Sequence, residues 1–342
     1  MSKIAEHLAE LTGYRDRDLL DVSLAAALKD LLHPLAVAIH RAVGEPGQQR
    51  WITRARLGGD GQVADADSLW AELESLPGLA ERPDHARCLL EQRLVVVPGL
   101  PETTLFPITS EREPVGVLEV ATSATLPEEQ RRLVFSILRI FRNFQGLLDY
   151  SERDTLTGLL NRKTFDECFL RAALPPGADP TAPADDARRR STLTAACLGV
   201  IDIDHFKRVN DNFGHLIGDE VLLLMSRLMR SSFRYHDQLF RFGGEEFVVL
   251  MRCAKPADAA IAFERLRSNV ERYAFPRVGH ITVSVGYSQL RPGDTPTGCF
   301  ERADKAVYHA KQNGRNQVHD HAALVAAGQL VDESRASDVE LF

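Results

Sequence analysis

The stretch Gly243-Gly244-Glu245-Glu246-Phe247 lies between two apolar runs, at 238–242 and 247–251. Apolar runs on either side of a glycine pair predict a β-hairpin, because glycine adopts the positive φ angles that tight turns require. Two adjacent carboxylates at the tip of a hairpin repel each other and are poor strand formers. A solvated turn tolerates such a pair, whereas a site that holds a cation close to the backbone makes use of it. The rest of the sequence decides between these two interpretations.

The size and composition of the chain limit its class. At 342 residues it exceeds one ordinary hydrophobic core, so we expect two domains. A content of 44% hydrophobic and 26% charged residues is typical of a globular protein. The net charge of −7 argues against a nucleic-acid polymer as partner, because generic polyanion binding needs a basic face. A local basic pocket for a nucleotide remains compatible with that charge.

No segment of the sequence has the character of a membrane anchor. Residues 1–11 are polar and acidic and lack the apolar core of a secretory signal peptide. No apolar run approaches the roughly 18–20 residues that cross a bilayer. The five cysteines are odd in number and scattered without paired spacing, which indicates buried thiols in a reducing compartment. We therefore expect a cytoplasmic protein without a membrane partner.

The first 120 residues alternate between helical and strand-like segments. The pattern predicts helices over 15–33, 68–76 and 84–92, and strands over 36–43, 50–56, 94–97, 104–108 and 115–122. This order fits an α+β domain with a mixed sheet and helices on one or both faces. Cys88, His33, His40 and His85 have no spacing that indicates a chromophore or haem, and we interpret each as an ordinary core or surface residue.

A long helix is predicted over 127–150, with proline and acids in its first turn. Apolar residues spaced four, three, four and three along it form a heptad seam: Leu133, Ile137, Ile140, Phe144 and Leu147. A second apolar stripe runs beside the seam: Val134, Leu138, Phe141 and Leu148. Either both stripes pack within one chain, or one of them meets its twin in a second chain. Further on, residues 174–191, which include Arg188 to Arg190, are interpreted as a flexible surface loop with solvated arginines.

Carboxylates follow a buried strand that we predict over 195–201. Strand alternation places Asp202 and Asp204 on one face. Carboxylates at the end of an apolar strand are well placed to hold Mg²⁺, which prefers one or two carboxylates together with substrate phosphates. Lys207, just beyond, can reach phosphate oxygens. The alternative is a solvated strand end without a ligand.

Polar residues also surround the helix predicted over 221–229. Asn210 and Asp219, held rigidly, can read the edge of a purine, and the alternative is that Asp219 only caps the helix. Beyond the hairpin, a helix over 256–273, a strand over 281–287 and a helix over 300–312 complete the order β-α-β-β-α-β-α. That order predicts a ferredoxin-like core with one added helix.

Several separate sequence blocks between 154 and 318 resemble the GGDEF family of diguanylate cyclases. The blocks are 156–162, 202–207, Asn210-Asp211, Gly214-His215, Gly218-Asp219, 241–247, Ala303-Asp304, Tyr308, Ala310-Lys311 and Gly314-Arg315-Asn316. The resemblance implies a ferredoxin-like, nucleotide-cyclase-type domain that joins two GTP molecules into cyclic di-GMP and releases pyrophosphate. Glu245 stands where the family name has an aspartate. Both residues are single carboxylates, so the resemblance still implies activity.

The same resemblance implies a role for each matching residue. The metal ligands for Mg²⁺, with Mn²⁺ as the alternative ion, would be Asp202, the carbonyl of Ile203, and Glu245. The substrate-binding residues would be Phe206, Lys207, Asn210, His215, Asp219, Gly243, Gly244, Lys311 and Arg315. The catalytic residues would be Glu245, Glu246 and Lys207, with one of the two glutamates assisting deprotonation of the ribose 3′-hydroxyl. The inhibitory product site would be Arg234, Asp237 and Arg265, although a surface salt bridge is the alternative for an Arg-x-x-Asp pattern.

One GTP site per domain cannot close a ring with two phosphodiester bonds, so the resemblance implies a homodimer. It favours the helix over 127–150 as the contact between two chains. The expected organisation is a GAF-like sensory or dimerisation domain (1–126), a linker or signalling helix (127–153), the GGDEF domain (154–320) and a tail (321–342). The GAF resemblance lies only in the order of elements, and the sensory ligand is unknown or absent. The alternative function is a non-catalytic receptor for GTP or cyclic di-GMP on the same fold.

Overall fold

The computed structural model describes residues 9, 17–44, 47–58, 67, 73–110, 114–173 and 195–331. The chain divides into two compact units, Met1–Ser151 and Glu152–Phe342. None of the helices within the described ranges combines the length and hydropathy that a membrane crossing demands. Three predicted segments lie wholly or partly outside the described residues: the loop with its three arginines, the end of the tail and the first part of the helix over 68–76.

The first unit is built on one antiparallel sheet. Its elements are α1 (Arg17–Leu32), β1 (Ala36–Val43), β2 (Arg50–Gly58), two 3₁₀ turns (Leu73–Ser75 and Leu79–Glu81), α2 (Pro83–Glu91), β3 (Val95–Val97), β4 (Glu102–Thr109), β5 (Pro114–Thr122) and α3 (Glu128–Glu152). The strands lie in the order β2-β1-β5-β4-β3, and every pairing among them is antiparallel. The sequence predicted a mixed sheet, and this prediction was wrong, because the sheet contains antiparallel pairs only. Short connections join β1 to β2, β3 to β4 and β4 to β5, and a parallel pair needs a crossover of a dozen or more residues.

Helices cover both faces of this sheet. On one face, α1 and α3 pack their buried side chains, among them Leu24 and Phe141, against alternate residues of β1 and β5 such as Ile39 and Leu118. On the other face, α2 packs Cys88 and Leu89 against the neighbouring set of alternate residues. Side chains alternate between the two faces of each strand, so neighbouring residues along a strand are buried in different cores.

The two apolar stripes of α3 have different environments. The second stripe is buried on the sheet: Val134, Leu138, Phe141 and Leu148. Two residues of the heptad seam remain exposed, Ile140 by 36% and Leu147 by 68%. The helix was predicted correctly. Only part of its heptad seam is therefore buried within the first unit.

The second unit contains a six-stranded sheet. Its elements are β6 (Leu160–Asn161), α4 (Arg162–Ala173), β7 (Ala195–Ile203), α5 (Phe206–Phe213), α6 (His215–Ser232), β8 (Gln238–Gly243), β9 (Glu246–Cys253), α7 (Pro256–Arg272), β10 (Ala274–Phe275), β11 (Gly279–His280), β12 (Val283–Gln289), α8 (Pro296–Gln312), β13 (Val318–Asp320) and α9 (His321–Ala326). The strand order is β13-β12-β7-β9-β8-β6.

The four central strands, β12-β7-β9-β8, pair antiparallel and have the connections of the predicted ferredoxin-like core. The short edge strands β6 and β13 pair parallel to their neighbours, and the sequence pattern did not reveal them. One face of the sheet packs against α6 and α7, and the other packs against α4 and α8. The contact with α8 is close, because a Cβ on Gly286 of β12 would lie 2.2 Å from the carbonyl oxygen of Ala303.

Candidate active site

The glycine pair forms the tip of the predicted hairpin. Strand β8 ends at Gly243, which pairs with Glu246 at the start of β9, so Gly244 and Glu245 form the turn. Gly243 has φ +147° and Gly244 has φ +50°. A Cβ on either residue would meet no atom within 4 Å. Glycine is therefore required by the backbone conformation rather than by crowding, and the hairpin is confirmed.

Arg241 fastens the hairpin tip to the beginning of the unit. Its Nε and Nη2 atoms donate to the carbonyl oxygen of Gly244 at 3.2 and 2.9 Å, and its Nη1 lies 3.1 Å from Oδ1 of Asp154. Asp154 also accepts hydrogen bonds from the backbone and hydroxyl of Thr157 at 2.8 and 2.7 Å. Burial alone would raise the pKa of Asp154, but these donors hold it below its usual range. Arg241 lies in the matching block 241–247, Asp154 lies two residues before the first block, and neither was among the predicted site residues.

The structure gathers acidic side chains around the end of β7. Asp202 is the cross-strand partner of Glu246, and the Ile203 amide donates to the carbonyl of Glu245 at 3.4 Å. Lys311, near the end of α8, places its Nζ 2.7 Å from Oδ2 of Asp202. The other carboxylate oxygen of Asp202, Oδ1, is buried and accepts no hydrogen bond from the described residues. Such an oxygen is stabilised by a cation or by a donor from beyond the described residues.

The pKa values of these carboxylates also favour a bound cation. Burial is the main cause that raises the pKa of Asp202, Glu245 and Glu246. Neighbouring carboxylates raise these pKa values further: Asp204 and Asp304 act on Asp202, Asp202 acts on both glutamates, and Asp304 also acts on Glu246. Lys311 opposes the shift for all three. Burial also raises the pKa of Asp304 on α8. Several carboxylates around one lysine create a negative potential that a divalent cation would relieve, so the donor set fits Mg²⁺ or Mn²⁺.

Asp204 does not belong to this cluster. Its side chain is buried and accepts hydrogen bonds from the hydroxyls of Thr282 and Ser284, both at 2.7 Å, and from the Asn316 amide at 3.0 Å. The expectation that Asp204 shares a cation site with Asp202 was wrong, because β7 ends at Ile203 and strand alternation does not continue past it. Asp204 instead joins β7 to β12 and to the turn after α8.

The turn after α8 carries Arg315, which was predicted together with Lys311 to bind the substrate. Gly314 and Arg315 both have positive φ, +108° and +62°, and the Arg315 amide donates to the Ala310 carbonyl at 2.9 Å. The hydrogen bond from Asn316 to Asp204 holds the turn against the end of β7. Lys311 and Arg315 thus lie in one short segment, and Lys311 contacts Asp202 of the acidic cluster.

The predicted base-binding residues lie on two helices that meet closely. Asn210 is on α5, and a Cβ on Gly218 of α6 would lie 2.1 Å from its Oδ1 atom. Asn210 is therefore held beside the residue that precedes Asp219. Lys207, His215 and Asp219 are exposed. The ring of Phe206 is buried in the core, which leaves only its backbone for a ligand.

The predicted inhibitory residues come together at the entrance to β8. The Arg234 amide donates to Oδ2 of Asp237 at 2.8 Å, and Arg265 donates to the carbonyl of Ser232 through Nε at 3.0 Å and through Nη2. Burial raises the pKa of Asp237 to about 6, opposed by the charges of Arg234 and Arg265. Within the described residues, Oδ1 of Asp237 is buried and accepts no hydrogen bond.

Comparison with known families assigns the second unit. Residues 151–317 match the family model described as "Diguanylate cyclase, GGDEF domain". These residues form a GGDEF domain. The match of the GGDEF domain begins at the end of α3 and leaves the first unit outside it.

The GGDEF domain also matches named proteins. The response regulator PleD of Caulobacter vibrioides is 37% identical over 229 residues, covering 61% of this chain and 46% of PleD. The diguanylate cyclase DgcZ of Escherichia coli is 36% identical over 170 residues, covering 49% of this chain and 52% of DgcZ. The chain thus spans about half the length of these curated relatives. The solved coiled coil and GGDEF domain of DgcB from Caulobacter crescentus, in complex with c-di-GMP, is 30% identical, with a TM-score of 0.46, over 57% of this chain and 100% of that one.

Proposed function

We propose that the protein is a diguanylate cyclase that condenses two GTP molecules into cyclic di-GMP and releases two pyrophosphates. The observation that carries the proposal is the cluster of Asp202, Glu245, Glu246 and Lys311 at the hairpin tip of a GGDEF domain. Each new bond joins the 3′-oxygen of one GTP to the α-phosphorus of the other, and the bond from that phosphorus to pyrophosphate breaks. The 3′-hydroxyl proton passes to a base.

The side chains divide this work by position. Asp202, the Ile203 carbonyl and Glu245 would hold Mg²⁺ or Mn²⁺, which supplies charge neutralisation at the triphosphate and lowers the pKa of the attacking hydroxyl. Lys311 adds a fixed positive charge beside the same carboxylates. Glu246, whose pKa is raised chiefly by burial and then by Asp304 and Asp202, suits a base that must accept a proton near neutral pH.

The glycines and the two helices position the substrate. Gly243 and Gly244 leave open space above the tip, where a triphosphate can approach the backbone. The Asp219 carboxylate would accept hydrogen bonds from N1 and the exocyclic amine of guanine, and the Asn210 amide would contact the same base, with His215 nearby. The exposed Lys207 and the turn bearing Arg315 would contact phosphates.

Ring closure supports a homodimer, because two symmetric bonds require two facing sites. The exposed seam residues Ile140 and Leu147 of α3 offer an apolar surface for a second chain. Arg234, Asp237 and Arg265 would bind the product and inhibit the enzyme. We place the protein in the cytoplasm, where GTP is made. The first unit would act as a sensory or dimerisation domain.

The experiment that tests this proposal compares matched glutamate variants. Glu245→Gln removes one carboxylate of the cluster and keeps its size, and Glu301→Gln does the same at an exposed position of α8. We expect Glu245→Gln to lower turnover at least 100-fold, because the lost charge weakens the metal site, and Glu301→Gln to retain wild-type turnover. Product formation from GTP and Mg²⁺ is measured by chromatography. Full activity of Glu245→Gln would remove its assigned role, and GTP binding without turnover in the wild type would favour the receptor alternative.

A further inference from the structure

The first unit contains a cluster of metal-ligating side chains that the sequence spacing did not indicate. His40 on β1, His85 on α2 and Glu119 on β5 place one ligand atom each within 4.8 Å of one another. Nε2 of His40 lies 3.3 Å and Nε2 of His85 lies 2.8 Å from the same carboxylate oxygen, Oε2 of Glu119. The sequence analysis interpreted His40 and His85 each as an ordinary core or surface residue, and their spacing did not reveal that both contact one carboxylate.

We propose that His40, His85 and Glu119 form a binding site for a divalent transition-metal ion, with Zn²⁺ as the best-fitting ion. Two imidazoles and one carboxylate are a common ligand set for zinc sites with an open position. Two ligand atoms bound tetrahedrally to one zinc ion lie about 3.4 Å apart. The separation of 3.3 Å between His40 and Glu119 matches that value, whereas His85 and Glu119, 2.8 Å apart, must move about 0.6 Å further apart to share an ion.

The fold aims these side chains at one another. His40 and Glu119 lie on the same face of the sheet, because Ala38, two residues before His40, is the direct partner of Glu119. A bulge in β2 shifts the register between Ile39 and His40, and a bulge re-aims the side chains beyond it. It brings Thr53 opposite His40. Helix α2 then lays His85 over this face.

The surroundings hold the ligands in place. His40 is fully buried, while the side chains of His85 and Glu119 are 15% and 25% exposed. Nδ1 of His40 lies 3.1 Å from the hydroxyl of Thr53, a contact of the kind that orients a metal-binding imidazole. Burial lowers the pKa of His40, against the opposing effect of Glu119. Metal binding requires a neutral ring.

An entry path leads to the cluster. His85 and Glu119 line a cavity of about 260 Å³ together with Thr103 and Asp84. The cavity gives the ion access and leaves room for a water molecule or a small ligand at the remaining coordination position. If Nε2 of His85 carries the hydrogen that it shares with Glu119 at 2.8 Å, that hydrogen must move to Nδ1 or to water for Nε2 to bind the ion.

One neighbouring group opposes the ion. Nη1 of Arg82 lies 3.0 Å from Nδ1 and 3.4 Å from Nε2 of His40. Its positive charge repels a divalent cation. This contact provides a test of the proposal. If the cluster binds a metal ion, removal of the Arg82 charge must strengthen metal binding. If the cluster is only a hydrogen-bond network, the same change removes one contact and has no effect on metal binding.

The test is a zinc titration of the whole chain after chelation and desalting, read by competition with a chromophoric chelator. We expect one zinc ion per wild-type chain at this site, at least tenfold weaker binding in His85→Gln and in Glu119→Gln, and several-fold tighter binding in Arg82→Gln. His33→Asn, at an exposed histidine with positive φ, is the matched control and should bind as the wild type does. Co²⁺ in place of zinc should give visible absorption that His85→Gln loses.

Two results would overturn the proposal. One is the absence of micromolar zinc binding in the wild type. The other is wild-type affinity and stoichiometry in both His85→Gln and Glu119→Gln, which would assign any bound zinc to other residues. Far-ultraviolet circular dichroism verifies that each variant is folded. Because two different elements carry the two substituted ligands, the loss of fold in one variant leaves the other to decide.

Discussion

Gly218→Ala tests how the structure positions the base-binding Asn210. The added Cβ would lie 2.1 Å from Oδ1 of Asn210 and 3.4 Å from the ring of Phe206. Since an ordinary contact is about 3.5 Å or more, the Asn210 amide must move by more than 1 Å. The ring contact is already tolerable. The substitution therefore acts on one side chain of the proposed guanine site.

The expected magnitudes separate folding from binding. Alanine favours helix α6 by about 1 kcal/mol, and moving Asn210 off its preferred rotamer costs about 0.5–1.5 kcal/mol, so stability changes little. The displaced amide loses one or two hydrogen bonds to the base, each worth about 0.5–1.5 kcal/mol. We expect KM for GTP to rise about 5- to 50-fold, with a smaller change in kcat.

The assay is steady-state kinetics on Gly218→Ala, Asn210→Ala and the double variant. Asn210→Ala should raise KM by a similar factor, and the double variant should be no worse than Asn210→Ala alone, because the clash has no partner left. Such non-additivity is the signature of two changes acting through one contact. Additive effects, or a wild-type KM in Gly218→Ala, would refute the proposed coupling between these residues.

Two further predictions concern the Arg-x-x-Asp turn. Arg234→Ala should raise the concentration of cyclic di-GMP that halves the initial rate at least tenfold, and unchanged inhibition would remove the assignment of this site. Asp237→Asn should stabilise the protein at pH 8, because burial raises the pKa of Asp237 to about 6. A carboxyl whose pKa is raised on folding contributes stability that is complete below its unfolded pKa of about 4 and is lost as pH rises through about 6. Urea unfolding should show a gain of about 1–3 kcal/mol at pH 8 that shrinks toward pH 5, and an equal effect at both pH values would contradict the burial argument.

The sequence predicted the hairpin and the strand that carry the acidic cluster well. Local signals decide these features: positive φ at Gly243 and Gly244, and an apolar run that ends at Asp202. The same local signals wrongly predicted that strand alternation continues to Asp204, whereas β7 ends at Ile203. The end of β7 and the three donors around Asp204 are set by contacts with β12 and with the turn after α8, which are distant in sequence.

Tertiary contacts explain the other differences. Strand direction in the first unit follows from pairings between β1 and β5, which the order of elements does not specify. His40, His85 and Glu119 are separated by 45 and 34 residues, and only a sheet with a bulge and a covering helix brings them together. Arg241 and Asp154 are 87 residues apart. Arg241 lies in a matching block, but nothing in the sequence pattern indicated that its partner is Asp154.

The most direct test of the proposed function is the balance of products from GTP. Pure protein at high concentration is incubated with GTP and Mg²⁺, and nucleotides and pyrophosphate are quantified by chromatography and mass spectrometry. The proposal predicts one cyclic di-GMP and two pyrophosphates for every two GTP consumed. GTP that remains intact, or that is converted only to GDP and phosphate, would contradict it.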